Sequence, residues 1–185
     1  MRLMLIKGIM MVAAALFVFS APLLAQQTGK APAAAEVYKS QINTVNLGLG
    51  GNAAKGTAEF RIAGDELLIT LNAEGLTPDM IHMAHLHGFV DGRKAACSKP
   101  SADKNKDGVV DVTEAASVNG PELIPLNGDP QDLDIKDKSY PKASKQGTIQ
   151  YSKKVSMKEL KKNLQKKYKI STLNLENMVV NLHGV

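Results

Sequence analysis

The chain has 185 residues, with 23 lysine and arginine residues against 18 aspartate and glutamate residues, and a formal net charge of +5 at pH 7. Charges of both signs are scattered along it, which is poor evidence for binding to nucleic acid, so no nucleic-acid partner is expected. Cys97 is the single cysteine, which excludes a disulfide within the chain. Length and composition therefore favour one globular domain that is stabilised by its own core.

The N-terminus has the pattern of a secretory signal peptide. Arg2 and Lys7 precede a long apolar run that ends in small residues and turns polar at Gln26. This pattern predicts a signal peptide over residues 1–25, cleaved after Ala25, and a periplasmic or secreted protein. An uncleaved anchor remains an alternative, because the run approaches the length of about 20 residues that crosses a membrane. No later segment of the sequence has this character, so no membrane span is expected after cleavage.

The rest of the chain divides into a short tether and one patterned region. Residues 26–35 are rich in alanine and proline, and they are predicted to form a flexible tether. Residues 36–185 carry regular apolar patterns over a length that suits one domain.

Alternating apolar residues predict a β-hairpin after residue 56. Every second position is apolar in two stretches, which hold Ala58, Phe60 and Ile62 and then Leu67, Ile69, Leu71 and Ala73. Gly64-Asp65 separates the two stretches as a tight turn. One face of this hairpin is therefore expected to lie in the core.

The remaining segments favour an all-β fold. Five of them are predicted to be strands: VYKSQINTVN, MIHMAHLHGF, PELIPLNG, GTIQYSKKVS and NMVVNLHGV. One short helix is predicted over about 156–168, because Ser156 and Glu159 have the spacing of a capping box. Apolar residues then recur at helical spacing, at Met157, Leu160 and Leu164, beneath a solvated lysine face. Seven strands and one late helix predict an antiparallel β-sandwich.

The strongest local motif is DKNKDGVVDVTE, residues 103–114. It fills the positions of a twelve-residue calcium loop, with Gly108 at the sharp turn. The expected oxygen ligands are Asp103, Asn105, Asp107, the Val109 carbonyl, Asp111 and a bidentate Glu114. The alternative is a solvated acidic loop that Lys104 and Lys106 partly neutralise.

The flanks of this loop limit its role. Glycine and proline precede it, and the sequence AASVNGP that follows it ends a helix within two turns. A single loop without two amphipathic helices is not expected to open a hydrophobic groove as a calcium sensor does. We predict an EF-hand-like loop inserted between two strands, with Ca²⁺ as a structural clip.

Three of the four histidines lie in the stretch HMAHLHGF, and the fourth is His183. Side chains alternate along a strand, so His85 and His87 share a face with Met83, while His82 points to the other face. His183 can join His85 and His87 if the last strand lies next to theirs or across from it. These three histidines are candidate copper or zinc ligands, with Met83 as a soft ligand. The alternative is that they are half-buried histidines bonded to backbone groups.

The order of these segments resembles the CHRD (chordin-like) domain over about residues 36–185. The matching segments are the GTAEF…GDELLITLNAEGL hairpin, HMAHLHG, NGPELIPL, GTIQYSKKVSMKELKKN and ENMVVNLHGV. The more specific elements are Ala84-His85-Leu86-His87-Gly88 and Asn181-Leu182-His183. The resemblance implies an immunoglobulin-like β-sandwich in an extracellular or periplasmic protein without established catalytic activity. Some secreted bacterial members of that family also resemble this chain in having a calcium loop at the same place.

The sequence also has a distant resemblance to Cu/Zn superoxide dismutase, whose copper ligands include a His-x-His pair and a late histidine. The dismutase zinc site needs further histidines, and none occurs between His87 and His183. No arginine follows His183 to steer superoxide. A superoxide-dismutase-like enzyme is therefore the least favoured hypothesis.

The favoured hypothesis is a non-enzymatic, calcium-binding module that binds an unknown protein or surface ligand. The second hypothesis is a copper-binding or copper-handling protein that uses His85, His87 and His183. The sequence indicates neither the partner nor the oligomeric state.

Overall fold

A computed structural model of the chain describes residues 34–46 and 53–184. The predicted signal peptide, 1–25, and most of the predicted tether, 26–35, lie outside the described residues. Within these two described ranges, no helix is both long enough and apolar enough to cross a membrane.

The described part of the chain contains two antiparallel sheets and two short α-helices. The strands are β1 (Glu36–Asn43), β2 (Lys55–Ala63), β3 (Glu66–Glu74), β4 (Ala84–His87), β5 (Glu122–Pro125), β6 (Ile149–Ser156) and β7 (Val179–Leu182). The helices are α1 (Val112–Asn119) and α2 (Met157–Tyr168). One sheet has the order β1-β2-β3-β6 and the other has the order β5-β4-β7. The predicted all-β class is confirmed, as is the pairing of antiparallel strands in two sheets.

The predicted hairpin is formed by β2 and β3. Ala63 pairs with Glu66, so Gly64-Asp65 makes a two-residue turn, and Gly64 has φ 61°. This left-handed backbone favours glycine, because a Cβ atom crowds the following carbonyl there. Alternate residues of β3 are buried, as the pattern predicted: Leu67, Ile69, Leu71 and Ala73.

One hydrophobic core joins the two sheets and α2. Ile69 comes from the four-stranded sheet, Leu86 and Ile124 come from the three-stranded sheet, and Leu160 and Leu164 come from α2. All five side chains are at most 2 % exposed. Burial of a leucine or isoleucine side chain contributes about 1.5–3 kcal/mol, so this shared core fixes the two sheets against each other.

The hairpin turn also holds the start of α2. Ser156 accepts a hydrogen bond from the Glu159 backbone N–H, as predicted, but the reciprocal half of the capping box is not formed, because the Ser156 N–H donates to Gln131 Oε1. Asp65 accepts hydrogen bonds from the Ser156 hydroxyl at 2.9 Å and from the Lys158 N–H at 2.7 Å. The predicted helix is therefore confirmed, and it begins where the β2–β3 turn supplies additional acceptors for its free N–H groups.

The prediction of a single helix was wrong, because α1 begins at Val112, within the last three residues of the predicted calcium loop. Asp111 accepts a hydrogen bond from the Glu114 N–H, and Glu114 accepts one from the Asp111 N–H. This reciprocal capping box starts a helix of eight residues, which ends at Gly120. The calcium-loop pattern assigns the same two residues as ligands.

The strand predicted over MIHMAHLHGF is shorter than expected and comprises only residues 84–87. The preceding backbone pairs with a different segment: His82 N–H donates to Pro141 O, and Ala143 N–H donates to Met80 O. Residues 80–82 therefore do not belong to the three-stranded sheet, which the chain enters at β4.

Candidate metal site

Three of the four histidines meet a glutamate on the three-stranded sheet. β4 is the central strand and pairs with β7, with His85 opposite Asn181 and His87 opposite Val179. This pairing brings His183 beside the His-x-His pair. One ligand atom from each of four residues lies within 4.8 Å of the others: His85, His87, Glu122 and His183. We call these four residues the histidine-glutamate group, and such a group could hold a metal ion.

Sequence reasoning missed Glu122, because a β-bulge places it there. Leu86 pairs with Ile124, whereas His87 pairs with Glu122, so the register shifts by one residue. Without this shift His87 would lie opposite Leu123, and Glu122 would point to the other face of the sheet. The only sequence signal was an acidic residue in the otherwise apolar strand PELIP.

The histidines present bare nitrogen atoms to one another. His87 Nδ1–H donates to Gly120 O at 3.0 Å, and His85 Nε2 lies 2.6 Å from the Tyr140 hydroxyl. The opposite nitrogen atoms, His85 Nδ1 and His87 Nε2, are buried and have no hydrogen-bond partner among the described residues, and the same holds for His183 Nε2. Buried polar atoms in proteins normally have hydrogen-bond partners. Three unpartnered nitrogens in one group therefore have the arrangement of metal ligands.

Burial keeps these imidazoles neutral. It lowers the pKa of His85 from 6.5 to about 3, with smaller contributions from His183 and His87. Burial also lowers the pKa values of His87 and His183, although Glu122 opposes the shift in both rings. Neutral imidazole is the form that binds metals, so the three rings are in the ligating state at pH 7.

Glu122 lies at the solvent side of the group. Its Oε1 atom is 3.7 Å from both His85 Nδ1 and His183 Nε2, which is too long for a hydrogen bond. The Glu122 side chain is 25 % exposed and that of His183 is 17 % exposed, whereas that of His85 is 1 % exposed. An ion can therefore approach from the side of Glu122 and His183.

The two neighbouring side chains of His82 and Met83 supply no ligand atom to the group. His82 is buried, and its ring nitrogens lie 3.0 Å from His183 O and 3.2 Å from Thr77 O. It is a buried histidine with backbone partners, and it lies before β4, so its separation from His85 and His87 does not come from the predicted strand alternation. Met83 is 46 % exposed, so its side chain is directed to solvent rather than into the buried group.

The predicted calcium loop has an ordered backbone that its own acidic side chains support. Asp103 accepts hydrogen bonds from the Lys106 and Gly108 N–H groups at 2.6 and 2.9 Å, and Gly108 has φ 88°. Glu114 accepts hydrogen bonds from Lys104 and Asn105 N–H groups. These carboxylates serve the backbone and do not converge on one point. Within residues 34–46 and 53–184, the histidine-glutamate group alone brings such ligand atoms within 4.8 Å of one another.

The loop is joined to the segment that follows β1 and to the histidine-glutamate group. Val110 N–H donates to Asn46 Oδ1 at 2.8 Å, and Asn46 Nδ2 donates back to Val110 O at 3.2 Å. From the loop, α1 leads to Gly120, whose carbonyl accepts from His87, and then to Glu122. The loop and α1 therefore lie between β4, which carries His85 and His87, and β5, which carries Glu122, and Gly120 at the end of α1 is the hydrogen-bond partner of His87.

The lowered histidine pKa values predict that the metal-free protein loses stability in mild acid. Below pH 6.5 the unfolded chain takes up protons at these histidines, while folded His85 stays neutral until about pH 3. The contribution of these histidines to the free energy of unfolding is therefore fully present above pH 6.5 and decreases as the pH falls. We expect the melting temperature to decrease between pH 6.5 and 5. Most carboxylates stay ionised in this range, since their pKa values are about 4, so they contribute little to the decrease. Thermal melts of chelator-treated protein from pH 7.5 to 5.0 would measure this.

The control for this pH dependence is a variant in which the three clustered histidines are replaced by glutamine. Its melting temperature should change less between pH 6.5 and 5, because the residues that take up protons on unfolding are gone. An equal decrease in both proteins would contradict the assignment to these histidines.

Comparison of the chain with protein-family models, with curated proteins and with solved structures finds no match. The resemblances to the CHRD domain and to superoxide dismutase therefore stay predictions from the sequence.

Proposed function

We propose that this protein binds one copper ion through the histidine-glutamate group. The observation that carries the proposal is the set of three buried, unpartnered nitrogens that face the same place. Imidazole nitrogen suits copper and zinc, and at a given nitrogen and oxygen site Cu²⁺ binds more tightly than the other divalent first-row ions. Zinc is the competing occupant, since three histidines and one further ligand also suit it.

The fourth residue, Glu122, gives the group its charge. Three neutral imidazoles carry no charge, so a divalent cation would place two positive charges in a partly buried position. The Glu122 carboxylate offsets one of them. Because this carboxylate is 25 % exposed, it can turn toward an ion without leaving solvent completely.

A copper titration of chelator-treated protein, followed by the visible spectrum, tests this function. We expect one ion to bind per chain and the spectrum to be lost in His85→Ala. Asp103→Ala is the matched control, because this residue lies in the predicted calcium loop and outside the group, so the spectrum should be kept. Absence of copper binding, or an unchanged spectrum in His85→Ala, would overturn the proposal. Tighter binding of zinc than of copper would overturn the choice of metal.

We also propose a calcium ion in the 103–114 loop as a structural clip. Support comes from the match of all ligand positions in the sequence and from the positive φ of Gly108 at the expected turn. The loop carries four carboxylates and two lysines, so it has net negative charge without an ion. A cation would relieve the repulsion among those carboxylates.

Calcium should raise the melting temperature of the chelator-treated protein. At an ion concentration of about one hundred times Kd, the free energy of unfolding increases by about 2.7 kcal/mol, which corresponds to an increase of about 5–10 °C in a domain of this size. Asp103→Ala should lose the increase. Asp91→Ala should keep it, because Asp91 is exposed and interacts with Arg93 outside the loop. A calcium response that is equal in wild type and Asp103→Ala would contradict the clip.

The wider role that we propose follows the sequence hypotheses. The protein is a periplasmic or secreted, immunoglobulin-like β-sandwich of CHRD type that acts as a non-enzymatic binding or surface module. Copper binding adds a metal-handling role to that module. Measured superoxide turnover above the free-copper background would instead favour the dismutase hypothesis.

A further inference from the structure

Tyr140 lies on the segment between β5 and β6 and reaches the outer side of the histidine-glutamate group. It is 5 % exposed, and its ring meets that of His85 edge to face, with ring centres 5.1 Å apart. Its hydroxyl oxygen lies 2.6 Å from His85 Nε2 and 3.1 Å from Ile135 O. The hydroxyl therefore has one partner that can donate and one that can only accept.

The positions of these partners fix the proton on His85. A phenol has one proton and the Ile135 carbonyl can only accept, so both contacts are hydrogen bonds at once only when the Tyr140 hydroxyl donates to Ile135 O. The same hydroxyl then accepts a hydrogen bond from His85 Nε2–H. A neutral imidazole carries one N–H, so His85 Nδ1 presents a lone pair to the other members of the group.

A second outer partner acts in the same way on the neighbouring histidine. Gly120 O can only accept, so His87 carries its proton on Nδ1 and presents Nε2 to the group. The two histidines of the His-x-His pair therefore use different nitrogens, and each is set by a partner outside the group. Such outer hydrogen bonds orient metal-binding histidines and fix their tautomers.

The backbone around Tyr140 holds its ring in place. On the C-terminal side, Pro141 O accepts a hydrogen bond from the His82 N–H at 3.0 Å, and Ala143 N–H donates to Met80 O at 2.8 Å. These bonds tie the tyrosine segment to the chain that enters β4, the strand that carries His85. Backbone pairing between two segments that are distant in the sequence therefore holds the two rings next to each other.

We propose that Tyr140 is a positioning residue that sets the tautomer and orientation of His85, and thereby the affinity of the group for copper. This inference rests on the proposed metal function. Without the hydroxyl, His85 Nε2 would lose its acceptor, and the ring proton would move to Nδ1, where Glu122 Oε1 is 3.7 Å away. A metal ion would then have to displace that proton before it could bind.

The Tyr140→Phe variant tests this inference, with Tyr151→Phe as the matched control. Both changes remove one buried hydroxyl, but the Tyr151 hydroxyl donates to Asn127 O instead of contacting a histidine. We expect the copper Kd to increase about 10–100-fold in Tyr140→Phe, as is common when an outer partner of a ligand is lost. The Kd of Tyr151→Phe should equal that of the wild type.

The tautomer of His85 can be measured, and a purely structural role of Tyr140 would leave it unchanged. Two-bond ¹H–¹⁵N spectra of the metal-free protein at pH 7.5 report which ring nitrogen carries the proton. We expect Nε2–H for His85 in the wild type and in Tyr151→Phe, and Nδ1–H in Tyr140→Phe.

The two measurements separate this inference from the proposed function. If the wild type binds no copper, the metal function fails, while the tautomer spectra still test the role of Tyr140. If the wild type binds copper but Tyr140→Phe has the same Kd as Tyr151→Phe, the positioning role is overturned. A wild-type His85 that carries its proton on Nδ1 would also overturn it, even if Tyr140→Phe does not fold.

Discussion

Copper at about one thousand times Kd should raise the melting temperature of the wild-type protein by about 10 °C, and His183→Gln should lose most of this increase. At that concentration an ion that binds only the folded state adds about 4 kcal/mol to the free energy of unfolding. His183 Nε2 is one of the three unpartnered nitrogens, and glutamine has no imidazole nitrogen to donate to a metal. Thermal melts of chelator-treated protein with and without copper measure the increase directly.

The fourth histidine provides the matched control for this prediction. His82 is as buried as His85, but its ring nitrogens lie against the backbone carbonyl oxygens of Thr77 and His183, and its ring supplies no ligand atom to the group. His82→Gln is expected to lower the melting temperature of the metal-free protein and to keep the copper-induced increase. If both variants lose the increase to the same extent, the effect comes from general damage to the fold, and the assignment of His183 as a ligand is contradicted.

Replacement of Gly120 by alanine should destabilise the protein by about 3 kcal/mol or more, which lowers the melting temperature by about 10 °C. Gly120 has φ 77° and ψ 178°, a backbone conformation that is essentially restricted to glycine. A Cβ atom at this position would also collide with the backbone carbonyl of Gly88. Neither backbone can shift freely, because Gly88 N–H donates to Pro121 O at 3.2 Å.

Gly64→Ala separates backbone strain from this collision. Gly64 also has positive φ, 61°, but an added Cβ atom would meet no other atom within 4 Å. Its replacement should cost only about 1–2 kcal/mol, the ordinary penalty of a left-handed residue with a side chain. Gly120→Ala should in addition weaken copper binding, because the Gly120 carbonyl is the partner of His87. Equal losses of stability in the two variants would contradict the role that we assign to close packing at Gly120.

The local patterns were sufficient for the parts of the fold that depend on neighbours along the chain. The alternation of Leu67, Ile69 and Leu71 predicts which face of β3 is buried, since side-chain direction in a strand follows sequence parity. The Gly64-Asp65 turn and the Ser156 cap could also be predicted, because each depends on residues that are close in the sequence. The sequence did not predict α1, because Asp111 and Glu114 fit both a capping box and a calcium loop, and the calcium loop is the more conspicuous pattern.

The candidate site required contacts that no local pattern contains. His183 follows His87 by 96 residues, and only the pairing of β4 with β7 brings the two rings together, with centroids 5.9 Å apart. Tyr140 was part of a polar segment without a predicted role, and it reaches His85 because residues 80–82 pair with residues 141–143. Long-range pairing of this kind depends on the whole fold.

The amino-acid sequence by itself determined the all-β class, the hairpin, α2 and the shared face of His85 and His87, because each of these follows from the direction of successive side chains along one element. The tertiary structure decided the composition of the candidate metal site. A one-residue bulge opposite His87 turns Glu122 onto the histidine face, and a register shift of this kind is a property of two paired strands that neither strand encodes alone.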